Sequence, residues 1–442
     1  MAENIMEKLV ALCKRRGIIF PGSDLYGGLN GTWDLGPIGV MFANNIKSLW
    51  WQNVVTSRED VVGLDSAILH HPRVWEASGH VASFTDPLIE CKVCHARFRA
   101  DHADDIKKHQ AEHKDKEDWT EVKQFNLMFK TFVGPIDDEQ NKTYLRPETA
   151  QGIFINYANV LETMRVKIPF GIAQIGKGFR NEITTGNFLF RVREFEMMEL
   201  EFFVKPGTDK EWHEYWKKYR YQWYVDLGIK KENIKVVDLP KEDLAHYSKG
   251  TAEIWYNWPF MGFGEMEGVA NRGDYDLSRH AEFSKKTLDY FEQETRERFV
   301  PYVIEPSVGV GRAMLAFLID AYAEDDPTSS SGQGKRVFLK LHPKLAPYKV
   351  AVFPLLANKE QLVEKAKEIY KTLKQSTSVA FDDRGNIGKR YLYQDEIGTP
   401  WCVTVDFDSL TDKKVTVRDR DTAKQERVAI ADLPSYFHDK LR

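Results

Sequence analysis

The chain has 442 residues, of which 42% are hydrophobic and 29% are charged, with a formal net charge of −4. This length predicts two or three domains. The sequence shows no polybasic tail that would indicate nucleic-acid binding, so we expect any RNA-binding surface to be a local patch. There is no apolar run of membrane-spanning length, which predicts no membrane partner. Four cysteines, two of them in one CxxC, do not make a disulfide framework, and we therefore expect a cytoplasmic protein.

The first element with a clear pattern is a helix predicted over Asn45–Ser57. Its apolar residues recur at helical spacing, namely Ile46, Leu49, Trp50 and Val54. A strand is predicted over Val61–Leu69, and Pro72 follows it.

Residues 91–113 contain cysteines and histidines at a spacing close to that of a zinc site, Cys91-x2-Cys94-x14-His109-x3-His113. The gap between the second cysteine and the first histidine is longer than in the usual finger. The segment Asp101–Lys116 is also very hydrophilic, which is typical of a solvated helix. Both interpretations stay open at this point, and the balance favours the helix without metal.

A β-hairpin with arginines near its turn is predicted further along the chain. A strand over Ile172–Ile175 precedes the polar turn Thr184–Asn187, and a second strand is predicted over Phe188–Phe203. Arg180 lies before the turn, whereas Arg191 and Arg193 lie after it. Since the guanidinium fork matches phosphate oxygens, the hairpin could cradle a nucleotide triphosphate, although a charged surface hairpin has the same local pattern.

A further arginine, Arg312, ends a glycine-rich segment, Glu305-Pro-Ser-Val-Gly-Val-Gly-Arg312. Gly309 and Gly311 would let the backbone turn tightly and approach a ligand. Arg312 would then occupy the first turn of a helix that continues to Tyr322, next to unpaired backbone N–H groups.

The C-terminal part alternates short strands with helices, which indicates a small α/β domain. Its predicted elements are a strand over Lys349–Leu355, a helix over Lys359–Gln375, and strands over Val379–Phe381 and Trp401–Phe407. A polar segment, residues 382–390, carries Arg384, Lys389 and Arg390. This segment is predicted to be a mobile or tightly turned loop that could wrap an unstacked RNA loop, with a solvated loop as the alternative.

The two arginine segments, Phe179-Arg-Asn-Glu182 and Gly309-Val-Gly-Arg312, resemble motifs 2 and 3 of the class II aminoacyl-tRNA synthetases in order and spacing. The helix, strand and proline near residues 44–72 resemble motif 1, which forms the dimer interface in that class. Longer strings narrow the resemblance to the glycyl-tRNA synthetases of the homodimeric type. These strings are Arg146-Pro-Glu-Thr-Ala-Gln-Gly152, Arg191-Val-Arg-Glu-Phe195, and Asn271-Arg-Gly-Asp-Tyr-Asp-Leu277 with His280.

The resemblance implies an α+β catalytic core, an antiparallel sheet flanked by helices, over residues 1–343. Motif 1 would span about 44–72, motif 2 about 172–203 and motif 3 about 305–322, with insertions at about 91–135 and 205–250. Residues 344–442 would form an α/β anticodon-binding domain. The implied activity is ligation of glycine to tRNA(Gly) through glycyl-adenylate, with ATP as a substrate, Mg²⁺ as its metal and a homodimer as the assembly.

The resemblance also assigns site residues. Arg180 would hold the α-phosphate and the amino-acid carboxylate, Glu182 would contact the adenine amino group, and Arg312 would cover one face of adenine; these three are the catalytic candidates. The residues implied to contact ATP are Arg180, Asn181, Glu182, Phe190, Arg191, Arg193, Phe195, Glu265, Met266, Gly309, Gly311 and Arg312.

The glycine site is implied to gather acids around the substrate ammonium. Its residues are Arg99, Glu148, Phe195, Glu199, Glu305, Ser307 and Gly309, and Glu305 is also a candidate Mg²⁺ neighbour. Two alternatives stay open. One is a tRNA-binding paralogue without catalysis, which usually lacks the ATP arginines. The other is a class II synthetase for a different small amino acid, because pocket volume cannot be read from a sequence.

Overall fold

The computed structural model of the chain describes residues 5–112, 118–245, 247–325 and 336–442. Among these residues, no helix combines the length and the apolar character needed to cross a bilayer. The helices are α1 (Ile5–Arg15), α2 (Pro37–Trp51), α3 (Pro72–Ala77), α4 (His80–Ser83), α5 (Ala103–Glu112), α6 (Ala150–Met164), α7 (Asp209–Asp226), α8 (Tyr275–Ser284), α9 (Val310–Ala321), α10 (Glu360–Leu373), α11 (Ile387–Glu396), α12 (Ser409–Asp412) and α13 (Leu433–Leu441).

The strands are β1 (Ile19–Pro21), β2 (Trp33–Leu35), β3 (Val61–Gly63), β4 (Thr85–Glu90), β5 (Arg97–Arg99), β6 (Lys123–Asn126), β7 (Lys130–Phe132), β8 (Lys142–Tyr144), β9 (Phe170–Phe179), β10 (Glu194–Val204), β11 (Ile234–Asp238), β12 (Gly250–Trp258), β13 (Gly262–Gly273), β14 (Tyr290–Glu292), β15 (Glu297–Phe299), β16 (Tyr302–Gly309), β17 (Tyr322–Glu324), β18 (Val337–Leu339), β19 (Val350–Pro354), β20 (Val379–Phe381), β21 (Trp401–Val405), β22 (Lys414–Asp419) and β23 (Gln425–Ala429).

A seven-stranded sheet in the order β11-β12-β13-β16-β10-β9-β3 forms the centre of the N-terminal part. Its neighbouring strands are antiparallel, except for the parallel pair β3 and β9. Strand β10 explains how one sheet serves both a core and a site. Because side chains alternate along a strand, Met198, Leu200 and Phe202 enter the main hydrophobic core. Glu199 and Glu201 therefore lie together on the opposite face.

The helix that follows β16 is buried on nearly every side. In α9, the residues Ala313 to Ala321 are all buried, and the helix contacts α2 and α1. A helix that is apolar all round belongs in a core rather than on a surface. Burial of α9 therefore fixes the strand end that precedes it, and with it the position of Arg312.

The motif 1 region differs from its predicted bounds. Helix α2 begins at Pro37, where proline suits the first helical turn, and continues into a π-helical turn over Gln52–Thr56. The following strand β3 ends at Gly63, so the prediction of a strand up to Leu69 was wrong. Beyond β3, the Arg146 guanidinium donates to the carbonyls of Ser66 and Ala67, which are therefore paired with a side chain rather than with a neighbouring strand.

The C-terminal part is a five-stranded sheet in the order β20-β19-β21-β22-β23, with a separate hydrophobic core. Strand β19 is parallel to both β20 and β21, and the other two pairs are antiparallel. The predicted elements are confirmed to within two residues at each end, and the strand Val379–Phe381 has the predicted bounds. Buried residues of α10 at helical spacing, such as Leu362, Ala366 and Ile369, explain this agreement.

The polar segment 382–390 is not a continuous loop. Asn386 caps helix α11 by accepting a hydrogen bond from the backbone N–H of Lys389. Arg390 is 2% exposed, so the proposal that this arginine contacts RNA was wrong. Its guanidinium donates to the carbonyls of Pro354, Asp383, Arg384 and Gly385. Arg384 and Lys389 remain exposed.

The buried guanidinium generates a stability prediction. Arg390→Met keeps much of the apolar volume but leaves the carbonyls without donors. We expect the free energy of unfolding to fall by about 3 kcal/mol in denaturant titration, since each buried unsatisfied acceptor costs roughly 1–3 kcal/mol. The matched change Arg384→Met, at an exposed position, should stay within about 0.5 kcal/mol of the parent protein. Equal stability of the two variants would contradict the structural role of Arg390.

Candidate active site

The arginine hairpin is formed by β9 and β10, which pair along their whole length. Phe170 lies opposite Phe203 at one end of the pair, and Phe179 lies opposite Glu194 at the other. The predicted second strand was wrong in its first residues, because β10 begins at Glu194 rather than Phe188. Asn187 and Phe188 have positive φ values of 55° and 60°. The turn folds inward because the Phe188 ring is buried against Trp33, with 4.8 Å between ring centroids.

Arg180 is held between two aromatic rings. Its guanidinium carbon lies 5.4 Å from the ring centroid of Phe84 and 5.3 Å from that of Phe195. Its Nε donates to the carbonyl of Pro147 at 3.1 Å. The ring of Phe195 lies across Gly178, where an added Cβ would come within 2.7 Å of the ring. Glycine at this position therefore allows the arrangement that orients Arg180.

Arg312 lies on the other side of the site. Its guanidinium carbon is 4.6 Å from the centroid of the Phe190 ring, and its Nη1 is 3.0 Å from Oε2 of Glu265. This ion pair lowers the pKa of Glu265. Neither Gly309 nor Gly311 uses a positive φ. Gly311 instead accommodates a close approach, because a Cβ there would lie 3.2 Å from the carbonyl oxygen of Leu189.

These residues line a cavity of about 330 Å³, which is within the usual size range of small-molecule sites. Of the predicted site residues, the structure brings to this cavity Glu148, Arg180, Glu182, Phe190, Arg191, Phe195, Glu199, Glu265, Met266, Glu305, Ser307, Gly309, Gly311 and Arg312.

Three predicted residues lie outside the lining of that cavity. Arg193 donates from Nε and Nη2 to the carbonyl of Glu182, and from Nη1 to that of Asn30, so it braces the hairpin rather than facing the cavity. Asn181 donates its backbone N–H to Leu127. Arg99 is paired with Asp86 and Asp101 at 2.8 and 2.7 Å.

The acids predicted for the glycine site are held by specific partners. Oε2 of Glu199 accepts the backbone N–H groups of Thr149 and Ala150 at 2.6 and 3.1 Å, at the positive N-terminal end of α6. Its Oε1 accepts from the Ser307 hydroxyl at 2.7 Å. A carboxylate at a helix N-terminus is held in one orientation, so Glu199 is a rigid member of the site.

Glu148 and Glu305 differ in their charge environments. Burial alone would raise the pKa of Glu148, but His80 at 3.3 Å and Arg272 lower it below its usual range. Both oxygens of Glu305 accept from Nη1 of Arg272, at 3.0 and 2.9 Å. Burial, together with Glu199 and Glu148, nevertheless raises the pKa of Glu305 to about 8. The pairing with Arg272 differs from the Mg²⁺ contact expected for Glu305 from the sequence.

The assignment of sites from the sequence missed the group that organises these acids. Arg272 is 2% exposed and also binds Asp276, from Nε at 2.7 Å and from Nη2 at 2.9 Å. Gln151 then donates to both Asp276 and Glu148. The signal was present, since Arg272 and Asp276 stand four residues apart in the string at 271–277, but spacing alone cannot identify their partner Glu305.

Glu201 is a further acid that the sequence assignment missed. It is fully buried behind the cavity, and neither carboxyl oxygen has a hydrogen-bond partner among the described residues. Burial, followed by the charge of Glu305, raises its pKa well above the usual range. This shift favours the protonated form of Glu201 in the folded chain.

Two of the predicted metal ligands also converge, away from this cavity. Cys91, Cys94 and His109 place their ligand atoms within 4.8 Å of one another. His113, the fourth residue of the predicted set, lies outside the described residues.

Comparisons with known proteins agree with this architecture. A family model described as the tRNA synthetase class II core domain (G, H, P, S and T) matches residues 129–321, and one described as the anticodon binding domain matches residues 349–440. The chain is 54% identical to the Glycine--tRNA ligase of Thermobifida fusca, over 99% of this chain and 98% of the relative. It is 54% identical to the Glycine--tRNA ligase of Streptomyces coelicolor, over 100% of this chain and 99% of the relative. It is 52% identical to the Glycine--tRNA ligase of Caldanaerobacter subterraneus subsp. tengcongensis, over 99% of this chain and 98% of the relative.

The sheet, its site and the family models define a class II aminoacyl-tRNA synthetase with a C-terminal anticodon-binding domain, as the sequence predicted. Within this class, the chain belongs to the glycine–tRNA ligase family. The boundary at 343 and 344, the motif limits and the individual site assignments stay predictions.

The buried carboxyl of Glu201 generates a pH-dependent prediction. The pKa of its carboxyl is 4.5 in the unfolded chain and much higher in the folded chain. Its stabilising contribution is complete below the unfolded value and is lost as the pH rises toward the folded value. The stability advantage of Glu201→Gln should therefore increase between about pH 6 and about pH 8, by up to about 1.4 kcal/mol per unit.

Thermal and denaturant unfolding at both pH values would measure this advantage. Glu194→Gln is the matched control, because Glu194 begins the same strand but is exposed and paired with Lys177. Its effect should not change over this pH range. A pH-independent effect of Glu201→Gln would mean that Glu201 is ionised in the folded protein.

Proposed function

We propose that the chain ligates glycine to tRNA(Gly) in two steps. In the first step, a carboxylate oxygen of glycine attacks the α-phosphorus of ATP, and the bond to pyrophosphate breaks, giving glycyl-adenylate. In the second step, a ribose hydroxyl of the tRNA takes the glycyl group, and AMP leaves. One observation carries this proposal. A single cavity is lined by three arginines, Arg180, Arg191 and Arg312, which we call the cationic end, and by three acids, Glu148, Glu199 and Glu305, which we call the acidic end.

The cationic end is suited to the triphosphate. Nη1 of Arg191 is buried and makes no hydrogen bond among the described residues; its nearest anion is Oε2 of Glu182, at 3.9 Å. A phosphate oxygen could therefore supply the hydrogen bond that this buried N–H group lacks. Arg180 and Arg312 are each stacked on an aromatic ring, so their guanidinium planes are already oriented. Orientation and charge neutralisation supply most of the rate in phosphoryl chemistry of this kind.

A Mg²⁺ ion bound with ATP would neutralise further phosphate charge. Mg²⁺ prefers carboxylate oxygens, and Glu253 and Glu265 both line the cavity. Burial and the neighbouring Glu265 raise the pKa of Glu253, as expected for two carboxylates that share a site. Glu253 is therefore a better candidate than Glu305, which Arg272 already engages, whereas Glu265 is itself paired with Arg312.

The acidic end is suited to an amino acid without a side chain. Glu199 pairs with Ser307 across the sheet, and Ser307 pairs with Gly268 on the next strand. Glu305 similarly lies opposite Ala270. The carboxylates of Glu199 and Glu305 thus stand beside very small neighbours, which leave space for a substrate ammonium to approach them. Arg99 remains a proposed substrate contact.

Amino-acid-dependent pyrophosphate exchange with all twenty amino acids tests the proposed function. Glycine should support exchange far better than alanine or serine. A missing methyl yields only about 1–3 kcal/mol of binding discrimination, so exclusion of alanine must be steric. Comparable exchange with alanine or serine would favour a synthetase for another small amino acid. Absence of exchange with every amino acid would favour the non-catalytic paralogue.

Arg180→Ala should reduce glycine-dependent exchange by about 100-fold or more, or on the order of 3 kcal/mol of transition-state stabilisation. The matched control is Arg298→Ala, an exposed arginine on β15 whose side chain is 63% accessible; it should leave exchange unchanged. Far-ultraviolet circular dichroism checks that both variants fold. Near-normal exchange in Arg180→Ala would remove the hairpin from the ATP site.

We also propose that the C-terminal domain binds tRNA through the exposed residues Arg384 and Lys389, since sequence-specific RNA contacts usually involve unstacked loops. Arg384→Ala with Lys389→Ala should raise the KM for tRNA in aminoacylation, increasingly so with added salt, while pyrophosphate exchange stays normal. Lys365→Ala with Lys371→Ala, on α10 of the same domain, is the control. Equal effects of the two pairs would exclude a local patch.

We further propose that the chain forms a homodimer with motif 1 at its interface, and that it is located in the cytoplasm.

A further inference from the structure

The segment between β4 and β6 brings together residues that are distant in sequence. Cys91 follows β4 directly, Cys94 lies in the turn before β5, and His109 lies near the end of α5. Their two sulfur atoms and an imidazole nitrogen all lie within 4.8 Å of one another. The Cys94 Sγ and the His109 Nε2 are 3.4 Å apart.

These separations match one tetrahedral metal ion. Zinc binds thiolate sulfur at about 2.3 Å and imidazole nitrogen at about 2.0–2.1 Å, and the tetrahedral angle then puts sulfur and nitrogen roughly 3.5 Å apart. The observed distance of 3.4 Å is close to that value. Two thiolates with an imidazole are also the ligand types that zinc prefers.

The turn is shaped to present both sulfur atoms. The backbone N–H of Cys91 donates to Ala96 at 2.9 Å, and that of His95 donates to Cys91 at 2.8 Å, which closes the turn. A closed turn of this kind brings the two cysteines of a Cys-x-x-Cys sequence close enough to share one metal ion.

The imidazole is also held in position. The ring of His109 lies 4.7 Å from the Phe98 ring and 5.6 Å from the Trp119 ring, measured between centroids. Trp119 is tied to the turn by a β-bridge to Cys91. The two aromatic residues therefore fix the helix that carries His109 against the cysteine turn.

This segment has little else to hold it together. Among its described residues, 85–112 and 118–126, the buried hydrophobic side chains are Ile89 and Cys91. Neither belongs to one of the hydrophobic clusters found in the rest of the fold. A unit of this size without a core usually needs a metal or a disulfide for stability.

We propose that Cys91, Cys94 and His109 bind one Zn²⁺ ion, which fastens α5 to the turn between β4 and β5. Binding releases the two thiol protons to solvent, and a water molecule or a further side chain completes the coordination of the ion. This structural site is separate from the proposed ligase site, because none of its three ligands lines the active-site cavity.

Metal content of the full-length chain, purified without chelators or metal-affinity resin, tests the proposal. Elemental analysis should find about one zinc per chain, and the content should fall to background in Cys91→Ser with Cys94→Ser and in His109→Asn. His438→Asn, which changes an exposed histidine on α13, should keep the zinc. Retention of zinc by the double cysteine variant would overturn the assignment.

A measurement on the unmutated chain keeps the proposal testable if the variants fail to fold. After removal of metal, addition of Co²⁺ should produce a thiolate-to-cobalt charge-transfer band and the visible bands of tetrahedral cobalt, and Zn²⁺ should abolish both. Failure of the unmutated chain to take up either metal would overturn the site. Quantitative formation of a disulfide between Cys91 and Cys94 in such metal-free protein would identify them as a redox pair instead.

Discussion

The active-site cavity depends on one buried guanidinium. Arg272, on β13, binds Glu305 on β16 and Asp276 on α8, with all three side chains almost entirely buried. Several carboxylates in one low-dielectric cavity repel one another and would otherwise take up protons. Arg272 supplies a positive charge that stays ionised, and the planar fork of its guanidinium binds two acids at once.

The same network links the layers of the fold around the substrate. From Asp276, hydrogen bonds continue through Gln151 on α6 to Glu148, whose carboxylate lies against His80. The N-terminus of α6 in turn binds Glu199. Three helices (α4, α6 and α8) and three sheet strands (β10, β13 and β16) are thus tied to the acidic end by polar contacts. A site that must grip a substrate without a side chain needs this rigidity, because few contacts are offered by the substrate itself.

The C-terminal domain is attached to the core by polar contacts of the same kind. Asn45, on the motif 1 helix α2, donates to the carbonyls of Leu345 and Ala346 at 3.0 and 2.8 Å. Arg336 binds Asp395, which also receives two hydrogen bonds from Arg418. A proposed dimer element and the proposed tRNA-binding domain therefore meet at one junction.

The amino-acid sequence by itself determined most helices and strands of the C-terminal part, and it identified the arginines of the candidate active site. Helical spacing predicted α10, and the order of the two arginine segments placed Arg180 and Arg312 at one site, because local periodicity and motif order are readable along a chain. The bounds of the hairpin were less predictable, since burial of Phe188 overrides the strand preference of its neighbours.

Only the tertiary structure decided which charges meet. The polar sequence around Arg390 predicted an exposed side chain, but this arginine is buried and donates to backbone carbonyls. The family resemblance suggested Glu305 as a neighbour of Mg²⁺, and in the structure its carboxylate is paired with Arg272. Likewise, a helix and a turn bring His109 to Cys94 from 15 residues away. The physical reason is common to all three: the charge state and the partner of a side chain depend on burial and on contacts between elements, which short-range sequence patterns do not contain.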